Sequence, residues 1–457
     1  MGRCELFCVH GGVRQWPCRI VGTIVIDYDG VDRAKSEWNV IPPRGAYPNQ
    51  MPNDLACHSA TAGGAAPSHV PPELIVDLDF YDLPFSGDDV QLAWRRFIGK
   101  GPMVWSPRNG GHWVPTRAED IAALHRDVVR LSNRDGTALP VRSGMRLLPT
   151  QADPPEVEEY RRTVLSFFSP RQIDALEPSI RALACQLIDA LAPRGGCEFV
   201  SAISHQLPIV VFLQIMALPV EDRTYLLSQS EQVARNPDNE AKGRAMQALI
   251  SYIECRVTDR RDGVGDDMIS TMVRARIGER PLRHDEIVSI CALLLMAGLD
   301  TVAAMMGFIA AYLAQHPEMR ERLRADVGLI PTAVEEFLRR FAVTSLGRVA
   351  VQDFDIGGVT VRAGDHILLS SPLHNLDPER FPDPEKIRLD RGRVHHISFG
   401  RGAHACLGAY LARTELRIFI QEWLARIPEF ELIPGTSAAG RSGSVNALAE
   451  LHLRWST

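Results

Sequence analysis

Paired cysteines are missing from this chain. Its nine cysteines, Cys4, Cys8, Cys18, Cys57, Cys185, Cys197, Cys255, Cys291 and Cys406, are scattered through 457 residues with no CxxC pair. That excludes a disulfide scaffold and fits a reducing, cytoplasmic setting. A basic run is missing too. The 50 Lys and Arg are outweighed by 56 Asp and Glu, for a net charge of −6. Nothing here selects for a phosphate backbone, so no nucleic-acid partner is expected. No GxGxxG fingerprint occurs, which leaves the chain without a flavin or dinucleotide site of its own. The first 50 residues lack the basic start, apolar block and small-residue cleavage site of a signal peptide.

What is present divides unevenly. Residues 1–66 end in a small, polar stretch and are expected to form a disordered extension, with Met51 the natural start. Residues 67–457 contain neither an internal repeat nor a linker and are expected to form one domain. One apolar run, Ala292 to Ala314, is long enough to span a bilayer. Asp300 and Thr301 interrupt it near the middle, and a mid-span carboxylate costs on the order of 3 kcal/mol in lipid. The run is therefore read as a helix buried through the centre of a soluble protein, with no membrane partner.

Three- and four-residue apolar spacing predicts helices at Gln91–Ile98, Ala118–Arg130, Pro155–Phe168, Arg171–Leu191 and Asp222–Ala234. A very long helix is predicted at His284–Gln315, then shorter ones up to Phe341. From Arg348 to Ser371 the period falls to two around Gly357-Gly358, which predicts a hairpin. A final helix is expected at Leu407–Ile427 and strand-like pairing from Phe430 to Trp455. The expected fold is mainly α with a small β region placed late.

The strongest motif is Phe399-Gly400-Arg401-Gly402-Ala403-His404-Ala405-Cys406-Leu407-Gly408. Its glycines permit a tight loop and the close approach of a flat ligand. Cys406 is expected in the first turn of the following helix, where the dipole and free N–H groups favour thiolate. A lone cysteine beside a glycine turn is more often inert core; the whole string overturns that. Ala297-Gly298-Leu299-Asp300-Thr301 lies inside the long helix, where a buried carboxylate needs a reason. Glu336 and Arg339 are one helical turn apart, and Gly347-Arg348 opens the hairpin.

Taken in order and spacing, these motifs resemble the cytochrome P450 superfamily, and the dense local identities resemble its bacterial, ferredoxin-dependent camphor 5-monooxygenase group. The resemblance runs from about His69 to Trp455. It implies the cytochrome P450 fold, haem b as cofactor and Cys406 as the thiolate ligand of its iron. Phe399, Gly400, Gly402 and Gly408 would shape the haem loop; Arg161, Arg348 and His404 would hold the propionates. Thr301 would hydrogen-bond the oxygen being activated and Asp300 would bring protons, with Arg235 as its partner. Gly298 would make room beside the haem. Glu336 and Arg339 would form the structural ExxR lock, whose usual third arginine falls at Lys386.

The implied activity is hydroxylation of an unactivated C–H bond with O2 and electrons from NAD(P)H. A ferredoxin reductase and a 2Fe–2S ferredoxin would deliver them, the latter docking near Cys406 and Arg161. The substrate pocket maps to Met145, Thr150, Leu293, Met296, Gly298, Thr344, Leu346, Ser444 and Val445. Met145 stands where camphor hydroxylases carry a ketone-binding tyrosine, so the pocket is apolar with three small hydroxyls. That suits a compact terpenoid, a monoterpene or norisoprenoid, rather than camphor. A peroxide-driven peroxygenase and a non-catalytic haem sensor are the alternatives. The Asp300-Thr301 pair argues against the first, and the lack of a signalling domain against the second.

Overall fold

Helices dominate the computed structural model, which describes residues 66–457 apart from 86–88, 136, 138, 140–143, 262–264 and 437. The expected leader, save for Ala66, lies outside the described residues. The helices are α1 (Ala118–Leu124), α2 (Glu156–Leu165), α3 (Pro170–Leu191), α4 (Leu207–Met216), α5 (Arg223–Arg235), α6 (Asn239–Asp259), α7 (Met268–Arg274), α8 (His284–Gln315), α9 (Pro317–Ala325), α10 (Ile330–Arg340), α11 (Ser371–Asn375) and α12 (Ala409–Arg426). The strands are β1 (Met103–Ser106), β2 (His112–Pro115), β3 (Leu131–Ser132), β4 (Gly196–Glu198), β5 (Arg276–Ile277), β6 (Arg280–Pro281), β7 (Ser345–Ala350), β8 (Phe354–Ile356), β9 (Val359–Val361), β10 (His366–Ser370), β11 (Glu431–Leu432), β12 (Ala439–Arg441), β13 (Ala447–Glu450) and β14 (His452–Arg454).

The long apolar run forms α8, with the bounds expected. Glu286 accepts from the Arg283 N–H at 2.7 Å to close its first turn. Pro317 begins α9 immediately beyond its end. α4, α5, α6 and α12 all pack on α8, which explains an apolar surface on every side. The β part is a five-stranded sheet, ordered β1-β2-β10-β7-β3, with smaller ladders beside it. Trp105, Trp113, Leu131, Phe354 and Ile367 form part of the core cluster on that sheet.

Several expectations change. The helix expected at Ala118–Arg130 ends at Leu124. Asp127 Oδ1 accepts from the N–H groups of Val129 and Arg130, turning the chain toward β3. The 348–371 hairpin is two nested ones. Gly357 and Gly358, at φ +54° and +84°, close only β8–β9, whereas β7 pairs with β10. The first predicted helix is a 3-10 helix, Val90–Phe97. α4 and α6 have no counterpart among the predicted segments: α4 (LPIVVFLQIM) is almost continuously apolar, so it carries no period to read.

Candidate active site

Phe399 to Gly408 is folded by its own backbone. Gly400 N donates to Ile397 O and Cys406 N to Phe399 O, both at 2.8 Å. Gly400 and Gly402 sit at φ +64° and +73°, which residues with a Cβ seldom adopt. A Cβ on Gly402 would also lie 3.2 Å from the His125 carbonyl oxygen, so the glycine lets the loop rest on residues 125–126. Cys406, expected in the first turn of α12, lies three residues before that helix. The helix starts at Ala409 with Gly408 as N-cap, because the 3-10 turn at Gly402–His404, an extended Ala405 and a second turn at Leu407–Gly408 come first. The helix end still reaches the sulfur through the Gly408 N–H. Burial raises the thiol pKa, and Gly408, Arg161 and Arg413 pull it back only in part. A thiolate here calls for a further positive charge, which a metal supplies. Cys406 lies deep in the protein and yet shows bare surface, as a ligand to something seated beside it must.

Beside this loop lies a set of donors without a carboxylate bonded to them. Arg348 is buried, and its one described side-chain hydrogen bond goes to its neighbour Gly347 O at 2.7 Å. Burial pulls its pKa down to about 10, opposed by Asp153. His404 Nδ1 and His125 Nε2 are buried with no partner among the described residues. Burial, and then Arg348, hold both histidines below the ordinary imidazole range, His404 at about 4. Half-buried Arg161 donates to Ala405 O at 2.7 Å, next to the cysteine. Buried donors of this kind demand an acceptor. Two carboxylates on a flat cofactor lying over Cys406 fit them. His125 was not anticipated; no motif surrounds it, and only the fold brings it to Arg348 and His404.

On α8, Leu294, Leu295, Leu299 and Asp300 are buried, but Ala297 is exposed and Leu293, Met296, Gly298 and Thr301 are partly so. The helix thus bares one short apolar stripe at its centre. Thr301 Oγ1 donates to Ala297 O at 3.0 Å. Asp300 points away and is buried against Arg235, whose Nη2 donates to both carboxylate oxygens at 2.7 and 2.6 Å. Gly298 differs from expectation. A Cβ there would lie 2.3 Å from the Phe212 ring, so the missing side chain admits α4 against α8 rather than a cofactor.

Glu336 and Arg339 form a wholly buried pair with contacts of 2.8 and 3.0 Å. Arg339 also donates to the carbonyls of Asn375, Pro384 and Lys386. Lys386 is not the third partner: its side chain is 71% exposed, 3.6 Å from Asp383. Arg391 is, with Nε 3.0 Å from Glu336 Oε2. The chain doubles back after Lys386, Arg388 N donating to the same oxygen at 2.9 Å, and so delivers the later arginine.

The residues mapped to the pocket come from separate segments. Thr344 and Val445 form a β-bridge, and Met145 and Leu346 keep 38% and 36% of their surface exposed, high for such apolar side chains. Two of the three hydroxyls are already engaged within the protein. Thr344 Oγ1 meets Ser371 Oγ at 3.3 Å, and Ser444 Oγ donates to Ala234 O at 3.1 Å. Thr150 is partly buried, its carbonyl accepting from Asn133 Nδ2 at 3.1 Å. On the surface near the cysteine loop, a depression of about 720 Å³ is lined by Arg126, Arg393, His395, Arg401 and Arg413, with Glu335 its one acid.

Comparison with known proteins bears on this geometry. The sequence profile described as "Cytochrome P450" matches residues 221–438. A probable cytochrome P450 127A1 of Sinorhizobium fredii is 33% identical over 400 residues, 85% of this chain and 96% of the relative. Pentalenic acid synthase of Streptomyces avermitilis is 32% identical over 66% of this chain and 76% of its own length. Among solved structures, cytochrome P450 CYP101C1 superposes with a TM-score of 0.78 at 39% identity, over 86% of this chain and 100% of that one. CYP101J2 gives 0.79 at 33% identity with the same coverage.

Proposed function

The chain belongs to the cytochrome P450 family of monooxygenases, whose members bind haem b through a cysteine thiolate, and from that premise we propose that it hydroxylates a small apolar terpenoid with Cys406 as the iron ligand. The substrate would be a monoterpene or norisoprenoid. When bound, the haem supplies the iron that activates dioxygen. The observation that carries the assignment is the buried donor set of Arg348, His404 and His125 beside the cysteine loop, with no carboxylate bonded to it.

In this reading Arg348, His404 and Arg161, joined by His125, hold the propionates, and Phe399, Gly400, Gly402 and Gly408 shape the loop. When bound, the iron would keep Cys406 as thiolate, helped by the Gly408 N–H. Asp300 takes protons from the Arg235 side of α8 and passes them inward, and the Thr301 hydroxyl, which rests on Ala297 O, turns to donate at the reacting face. Leu293, Met296, Leu346, Val445 and Met145 exclude water and orient the hydrocarbon, with Thr150 at the margin. Because the Thr344 and Ser444 hydroxyls are engaged, the wall offers little to a polar ligand, and positioning rests on shape. Gly298, Glu336 and Arg339 serve the frame.

Electrons come from NAD(P)H through a reductase and a 2Fe–2S ferredoxin, whose acidic face would meet the basic depression beside Cys406. The enzyme is soluble, α8 being mostly buried in the protein. The test is a terpenoid panel scored by spin-state shift, then turnover of the best ligand with NADH, reductase and ferredoxin or with peroxide alone. Product from the ferredoxin system, and little from peroxide, supports the reading. No shift with any terpenoid overturns the substrate class, and equal product from peroxide overturns the partner.

A further inference from the structure

The turn of the β12–β13 hairpin, Ser442 to Asn446, is fastened on two sides. On one side Ser345 N donates to Ser444 O at 3.0 Å and Asn446 N to Val343 O at 2.8 Å. These bonds, with the Thr344–Val445 bridge, fix the turn to the start of β7. On the other side Ser444 N and Oγ both donate to Ala234 O at 3.1 Å, and Arg235 Nε donates to Val445 O at 3.0 Å. This second attachment is to the last residues of α5. Gly443 makes it fit: a Cβ there would lie 2.6 Å from Ala234 O and 3.1 Å from Arg235 Cγ.

Arg235 therefore joins two things. Its Nε is held by the turn and its Nη2 by Asp300. The guanidinium is a rigid plane, so moving one edge moves the other. Among the described residues, the other titratable groups around it are Glu231, at 3.8 Å, and His205, itself 3.8 Å from Glu231. Neither attaches Arg235 to the pocket wall; the turn does.

We propose that Gly443 and Ser444 are positioning residues that hold Arg235 on Asp300 and link this ion pair to ligand contact at Thr344 and Val445. The idea rests on the role of Asp300 given above. While both its oxygens accept from Arg235, the carboxylate is held pointing away from the reacting face. A ligand pressing on Val445 bears on the same guanidinium. Pocket filling and readiness of the acid are thus mechanically coupled.

The test uses haem-loaded protein and the variants Gly443→Ala, Ser444→Ala, Arg235→Ala, Gly443→Ala/Arg235→Ala and Asp300→Asn. One readout is amide exchange of residues 232–236 in the oxidised protein. The second is the solvent isotope effect on NADH-driven oxygen uptake, without ligand and with the terpenoid giving the largest spin-state shift. Gly443→Ala should speed exchange at least tenfold, lower the ligand-free isotope effect at least twofold, and add nothing to Arg235→Ala. Ser444→Ala should do the same to a smaller degree, and stays informative if the glycine variant folds poorly. Unchanged exchange and isotope effect, or full additivity in the double variant, overturns the proposal. If Asp300→Asn leaves the isotope effect unchanged, the proton role of Asp300 itself falls, and the coupling with it.

Discussion

At Gly298 a single missing methyl decides how two helices meet. Its notional Cβ would fall 2.3 Å from the Phe212 ring, inside any real contact. Gly298→Ala should lower unfolding stability by about 1–3 kcal/mol, and Phe212→Leu in the same chain should recover part of it, as denaturant titration would show. The ExxR site gives the opposite kind of test. Arg391→Leu removes one of two arginines from a buried carboxylate and should cost about 1–3 kcal/mol. Lys386→Ala, at an exposed ammonium, should stay within about 0.5 kcal/mol. These two sites also mark what could be read from sequence at this scale. Cys406, Asp300 and Glu336-Arg339 stand in local strings whose spacing is itself the signal. Phe212, Arg391 and His125 act on residues far along the chain, and no local pattern names a partner across a fold.

At the scale of elements, α8 is readable to its bounds because a buried central helix needs a long apolar run, broken here only at Asp300-Thr301, and proline follows it. The nested hairpin was readable only at its inner turn. Gly357-Gly358 announces a reversal, but alternation continues through both hairpins and does not say which strands pair. α12 carries a testable burden of its own. Glu415 is 1% exposed and its Oε1 has no described partner. Burial raises its pKa well above the carboxylate norm. A raised acid stabilises the fold below its unfolded pKa, and that stability is lost as pH rises through the folded value. Glu415→Gln should therefore unfold at higher denaturant than the parent at alkaline pH, and no higher near pH 4. A parent advantage that grows with pH would contradict this.

For the molecule as a whole, the acid side should be governed by Glu286 and Glu335. Burial alone would raise both. Arg280, the Arg283 N–H and Tyr160 outweigh it at Glu286, and His396 and Arg413 do so at Glu335, leaving each at about 2. Depressed carboxylates stabilise above their unfolded pKa and lose that contribution as pH falls to the folded one. Denaturant midpoints should thus hold near pH 5 and fall between about pH 4.5 and 2; a flat acid limb would exclude these pairs as the cause. The charge balance of −6 hides the basic depression near Cys406, because only the fold gathers Arg126, Arg393, Arg401 and Arg413. On the proposed ferredoxin docking, Arg393→Glu should slow reduction several-fold at low salt and little at high salt, in stopped-flow traces.

The proposed function stands on sulfur ligation at position 406. The most direct measurement is the absorption spectrum of the reduced, carbon monoxide-treated protein beside that of Cys406→Ser. Thiolate ligation predicts a strongly red-shifted main band in the parent and its loss in the variant, with monooxygenase turnover lost alongside. A folded parent showing the spectrum of imidazole ligation, or a variant that keeps the shifted band, would contradict it.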